Sequence, residues 1–211
     1  MCVQYLTTVN VDWVKSHFDL ILPSSAAHDV FPTYPGPIVL KSHHTERTAI
    51  GQARFGLLPS WAKDENFGRK TYNARAETVA EKPSYKTAWV KRHYALALAD
   101  AFYEPCYESG KAVRTGIQQA NGEPMAIASI WDTWTDPDSG ELIVSFSMLT
   151  INADNHSLMK RFHKPEEEKR TVVPLRSEFF NDWLNATPES AKSLLQLDSM
   201  PDLKFAQAPI E

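Results

Sequence analysis

Six consecutive apolar residues, 94–99 (YALALA), constrain this chain more than any other feature. The run is far too short to span a bilayer. It lacks the polar alternation of a half-exposed strand, and it is best read as a buried strand. Other strands surround it in the sequence. Residues 38–40 form a short apolar strand after a loop at 22–37 that holds Pro23, Pro32, Pro35, Gly36 and Pro37. Residues 49–58 (AIGQARFGLL) read as a strand stopped at Pro59. Met125–Trp131 and Glu141–Ile151 flank the turn-rich TDPDSG and predict a hairpin. In its second arm Leu142, Val144, Phe146 and Met148 share a face. A short strand at Thr171–Leu175 closes the set.

Helices are short. Residues 11–21 place Val14, Phe18 and Ile21 on one face. Pro83 opens a helix through Lys91, Asp154 caps one through Phe162, and Thr187-Pro188 starts the last, through about Leu197. The residues beyond are expected to be loosely held. No βαβ rhythm and no glycine-rich phosphate loop is present, which argues against nucleotide-cofactor chemistry. The expectation is an α+β chain with residues 1–185 as the domain and 186–211 as a C-terminal helix and tail.

The net charge of -4 disfavours a general polyanion binder. The balance is local, however. Residues 54–92 carry nine Lys/Arg against four Asp/Glu, and residues 176–211 carry three against six. A basic face on an acidic protein is compatible with this, and so is a scattered, solvated surface. The N-terminal residues lack a basic segment followed by an apolar one, so no secretory signal is read. A cytoplasmic protein with reduced thiols is expected. The two cysteines, Cys2 and Cys106, make neither a disulfide framework nor a zinc motif.

Cys2 is the first candidate for chemistry. By position alone, an incidental residue at a frayed terminus is the commoner reading. Removal of Met1, however, would put an α-amine and a thiol on one residue. An α-amine with a pKa of about 7.7–8.0 is partly neutral at pH 7. Such an aminothiol attacks an aldehyde twice, the amine giving an imine and the sulfur closing a five-membered thiazolidine. The second step is intramolecular and gains effective molarity. In the run NARAET, Asn73 and Arg75 fall on one side of a strand, where an amide and a guanidinium suit phosphate or sugar oxygens. Glu104 follows the apolar strand. A carboxylate at the end of a buried strand is poorly solvated and its pKa rises, as a general acid/base requires. An exposed turn residue before Pro105 is the alternative. His163 follows the 158–162 segment and either terminates a helix or moves protons. Trp61 can stack a base or fill a core. His43 and His44 sit in a polar loop and are assigned no role; Cys106 packs or sits idle.

Taken in order, Met1-Cys2, FGLLPSWAKD (55–64), YNARAETVAEKPSY (72–85), LADAFYE (98–104), MLTINADNHSLM (148–159) and the histidine of RFHKP resemble the SRAP family, the SOS response-associated peptidases. The resemblance implies a barrel-like, mostly antiparallel β core flanked by short helices. It implies single-stranded DNA with abasic sites as partner, no cofactor, no metal, no membrane, and a monomer. Cys2, freed by autoproteolytic removal of Met1, would crosslink to the opened sugar as a thiazolidine and shield the lesion; lyase behaviour follows from the same site. Asn73 would hold the N-terminal residue or sugar, Glu104 would open the ring and move protons, and His163 would assist. Arg75, Trp61, Gln4 and Thr150 would meet the DNA. Three departures stand out. Val3 and Gln4 replace the family's Gly-Arg, Pro105 replaces the tryptophan of FYEW, and an acidic run, Glu166–Glu168, follows His163. An N-terminal-nucleophile cysteine amidase acting without DNA and a non-catalytic DNA-binding module are the rival readings.

Overall fold

The computed structural model describes residues 2–23, 29–42 and 45–206. Met1, the His43-His44 pair and the last residues of the expected tail lie outside the described residues. Among those described, the strands are β1 (Gln4–Thr7), β2 (Asp29–Val30), β3 (Pro35–Lys41), β4 (Thr48–Phe55), β5 (Asn73–Arg75), β6 (Tyr94–Cys106), β7 (Val113–Gln119), β8 (Met125–Thr135), β9 (Leu142–Asn152), β10 (Arg170–Val172), β11 (Pro174–Leu175) and β12 (Leu203–Phe205). The helices are α1 (Val11–Phe18), α2 (Pro83–Val90), α3 (Phe180–Leu184) and α4 (Pro188–Leu194).

Five strands close on themselves. β6 pairs with β3, β3 with β4, β4 with β9, β9 with β8, and β8 again with β6. All are antiparallel except β4–β9. The α+β class with a barrel-like core is therefore observed, in a single domain. A five-stranded barrel has a narrow interior, which must be filled by side chains of matching size. The YALALA run meets that demand. Ala95, Ala97 and Ala99 point into the barrel beside Ile38, Ile127, Phe146 and Met148. Tyr94, Leu96 and Leu98 point out and are covered by Trp13, Trp89 and Trp183 from the helices. The strand is apolar throughout because its two faces belong to two different cores. Trp183 also donates its indole N–H to the carbonyl of Ala95 at 2.8 Å, fixing α3 on β6.

The hairpin, α2 and the central strands fall where the sequence places them. Other expectations change. α1 ends at Phe18, where Asp19 turns into the left-handed region (φ 55°), so Ile21 lies outside the helix and is exposed. The strand before Pro59 stops at Phe55, because Gly56 adopts φ 123° and packs backbone-to-backbone on Gly68; a Cβ there would meet the Gly68 carbonyl oxygen at 2.3 Å. The expected helix from Asp154 to Phe162 is reduced to a 3-10 turn, Met159–Arg161. His156 Nδ1 accepts from the backbone N–H groups of Leu158 and Met159, and Asp154 is drawn instead to the N–H of Lys169. The expected loose tail is held through Ala206, since Met200 is buried and β12 pairs with β7. β1, β2, β7 and β12 are not expected from the sequence, each being short or polar and outside the barrel, and β3 begins at Pro35, inside the stretch read as loop.

Candidate active site

β1 lies along β6, with Gln4 opposite Tyr103, so the residues preceding β1 reach the part of β6 that holds Glu104. Cys2 is fully buried there. Its Sγ donates to the carbonyl oxygen of Gln4 at 3.2 Å. Its own carbonyl oxygen accepts from Asn73 Nδ2 at 2.7 Å. Asn73 is placed by β5, which pairs in parallel with β9 in the register Asn73–Met148, and Tyr85 of α2 donates to its carbonyl at 3.0 Å. A residue near a chain end, where fraying is usual, is thus pinned by a buried side-chain amide.

Glu104 does not end a strand. β6 continues to Cys106 and is flanked by β1 and β7, so the carboxyl group is inside the sheet and only 2% exposed. Burial pushes its pKa up to about 7, because a low-dielectric surrounding disfavours the charged form. Beyond β6, the bridge between Cys106 and Phe162 and the hydrogen bond from His163 N–H to the Pro105 carbonyl (3.0 Å) bring His163 alongside. His163 follows the 3-10 turn at φ 62°, a left-handed conformation, and its side chain is buried. Its Nε2 lies 3.7 Å from Oε2 of Glu104 and 2.9 Å from the carbonyl oxygen of Arg170. A carbonyl only accepts, so Nε2 carries the hydrogen. Burial lowers the imidazole pKa and keeps the ring neutral at neutral pH. The pair therefore offers a carboxyl group that exchanges its proton near pH 7 beside a neutral imidazole whose Nε2–H is held by the Arg170 carbonyl.

The Cys2 thiol is in the opposite condition. Burial first, then the nearby Glu104 carboxylate, pushes its pKa up to about 12. Thiolate is scarce at neutral pH, so the sulfur is not a free-standing nucleophile. Tyr72 belongs to the same cluster. Burial, then the charges of Cys2 and Glu104, raise its hydroxyl pKa, and its ring packs edge-on against Phe55. Neither Tyr72 nor Arg170 was singled out from the sequence. Tyr72 stands beside Asn73 in the motif, and Arg170 lies in the segment that departs from it.

Cys2, Asn73, Glu104 and His163 are therefore assembled in one place. The other four candidates surround it differently. Arg75 is exposed, and its Nη1 pairs with Glu168 at 2.9 Å. Trp61 is half exposed, edge-on to Phe67, at a cleft of about 490 Å³ that Lys63, Arg69 and Lys70 also line. The Gln4 side chain is buried between Asp29 and Arg114. Thr150 is buried, its hydroxyl donating to the Ala74 carbonyl and accepting from Arg170. Cys106 packs in the barrel core.

A five-strand barrel with a buried cysteine at position 2, an amide on its carbonyl and a buried Glu–His pair defines a class of protein, and known relatives give that class its name. The sequence model of the SOS response associated peptidase (SRAP) family matches residues 1–211, and the chain belongs to that family. It is 29% identical over 214 residues to the abasic site processing protein YoqW of Bacillus subtilis, spanning 98% of this chain and 92% of that one. It is 26% identical to the abasic site processing protein HMCES of Xenopus tropicalis, covering 88% of this chain and 61% of the longer relative. A Bordetella bronchiseptica crystal structure superposes with a TM-score of 0.86 at 32% identity, over 99% of this chain and 100% of that one. One from Bacteroides thetaiotaomicron, at 22% identity and a TM-score of 0.77, shares the fold. Among the described residues, no helix is long and apolar enough to cross a membrane.

Proposed function

We propose that this chain binds single-stranded DNA and, once Met1 has been removed in an autoproteolytic step, traps abasic sites through Cys2. The observation that carries the proposal is the 2.7 Å hydrogen bond from Asn73 to the Cys2 carbonyl, which fixes the aminothiol next to the Glu104–His163 pair. An abasic sugar exists mostly as a closed hemiacetal. Opening it needs a proton moved from the anomeric hydroxyl and one delivered to the ring oxygen, which suits a carboxyl group with a pKa of about 7. The freed Cys2 amine then adds to the aldehyde, and loss of one water gives the imine. The thiol adds across the C=N bond, the C–S bond forms, and the sulfur's proton ends on nitrogen. The high thiol pKa orders these steps. The amine attacks first, and sulfur loses its proton only as its bond to carbon forms.

The burial of Cys2 also supports the protective role: a thiazolidine formed there is shielded from water, which would otherwise reopen it. Incubation with a single-stranded oligonucleotide bearing one abasic site, followed by a denaturing gel, tests the reading. A shifted covalent band that vanishes in Cys2→Ala is expected. No band, or a band indifferent to that substitution, overturns it. Peptide turnover indifferent to DNA would instead favour the amidase reading.

A further inference from the structure

Gln4, two residues from Cys2, carries no charge, yet the structure puts a guanidinium against its side chain. Arg114 stands on β7, opposite Pro105 of β6, the residue that follows Glu104 and whose carbonyl receives His163. Its Nε donates to Gln4 Oε1 at 2.7 Å. Its guanidinium carbon lies 3.7 Å above the centre of the Tyr103 ring. Gly116, paired with Tyr103, leaves room beside the ring: a Cβ there would stand 3.2 Å from it and 2.9 Å from the Ala206 side chain.

Gln4 has only one useful orientation. Its Nε2 donates to the Asp29 carboxylate at 2.9 Å, so its oxygen must face Arg114. Asp29, Gln4, Tyr103 and Arg114 thus lie across β2, β1, β6 and β7: Asp29 orients Gln4, and Gln4 and Tyr103 together hold Arg114. The result is an exposed guanidinium held by its Nε and its face. Its two terminal nitrogens make no hydrogen bond or ion pair among the described residues. Arg75 differs in this respect, because its Nη1 is already occupied by Glu168.

We infer that Arg114 is a phosphate-binding residue of the DNA site, held in position by Gln4 and Tyr103 next to the Cys2 segment. The inference rests on the DNA-binding reading above and names which cation does the work there. A pre-oriented guanidinium with both terminal nitrogens available matches two oxygens of one phosphodiester, and it loses little side-chain freedom on binding. Gln4 acts through Arg114 and is a positioning residue.

The test is the affinity of the full chain for an intact oligothymidylate, measured by fluorescence anisotropy across a salt series, together with crosslinking to the same strand carrying an abasic site. Arg114→Ala is expected to raise Kd about 10-fold at low salt and to lower the slope of log K against log salt by about 0.7, one single-strand phosphate contact. Arg114→Lys keeps the slope while losing part of the affinity. Arg161→Ala removes one positive charge elsewhere, from an arginine already paired with Glu108, and leaves the slope unchanged. Should Arg114→Ala fail to fold, Arg114→Gln gives the same comparison. A wild-type slope in the Ala or Gln variant overturns the inference alone. Failure of the wild-type protein to bind or crosslink the strand overturns the functional reading as well.

Discussion

The side-chain amide of Asn73 and the carbonyl oxygen of Cys2 are 2.7 Å apart, a buried contact spanning 71 positions of sequence. It turns a chain end into part of the core. Asn73→Ala leaves a buried carbonyl without its donor, which costs about 1–3 kcal/mol. It also lets the Cys2 segment shift, and a displacement of about 1 Å costs on the order of 100-fold in rate. Single-turnover crosslinking of Asn73→Ala should therefore fall about 100-fold, with affinity for intact single strands little changed.

Glu104 links pH to both stability and chemistry. Its folded pKa of about 7 lies above its ordinary value of 4.5. The neutral form thus stabilises the fold fully below about 4.5, and this contribution is lost as pH rises through about 7. Glu104→Gln should abolish crosslinking and also flatten the fall in melting temperature between pH 5 and 8. Wild-type crosslinking should decline above about pH 7 as the proton donor is lost. A variant whose melting temperature still tracks the wild-type pH profile would contradict this.

Glu168 bridges Arg75 (2.9 Å) and the buried Arg170 (2.7 Å). The acidic run after His163 therefore turns one of its carboxylates onto the cation expected to meet DNA. Glu168→Gln should tighten binding to intact single strands by about 3- to 10-fold at low salt. Glu167→Gln, in a pair with Lys164 at 3.8 Å, should do less. The gain from Glu168→Gln should disappear in an Arg75→Ala background.

Trp61 is 53% exposed and touches Phe67 by an edge, so the core does not depend on it. Base stacking contributes about 1–3 kcal/mol per base. Trp61→Ala should weaken single-strand binding about 10-fold and shift the melting temperature by less than a few degrees.

The candidate residues of this site are legible in the sequence where they sit in compact runs. NARAET marked Asn73, FYE marked Glu104, and YALALA marked the strand that carries it. What escaped depended on pairing between distant strands. Arg114 is an unremarkable arginine in a polar stretch until β7 pairs with β6 and brings it onto Gln4. The segment after Asp154 has helical spacing, yet His156 and Asp154 divert its backbone hydrogen bonds into a 3-10 turn, and that turn presents His163 at φ 62°. Thr150 lies in a motif run, but its hydroxyl is already used inside the protein. Local patterns reported which residue types were present; tertiary register decided which were available.

The proposed reaction ends in one covalent structure, the Cys2 thiazolidine. Mass spectrometry of the digested crosslink, formed with a single-stranded oligonucleotide carrying an abasic site, examines it directly. The expected product is an N-terminal peptide that begins at Cys2, lacks Met1, and carries the sugar remnant with the net loss of one water. A crosslink on a lysine, or an adduct on a peptide that retains Met1, would contradict it.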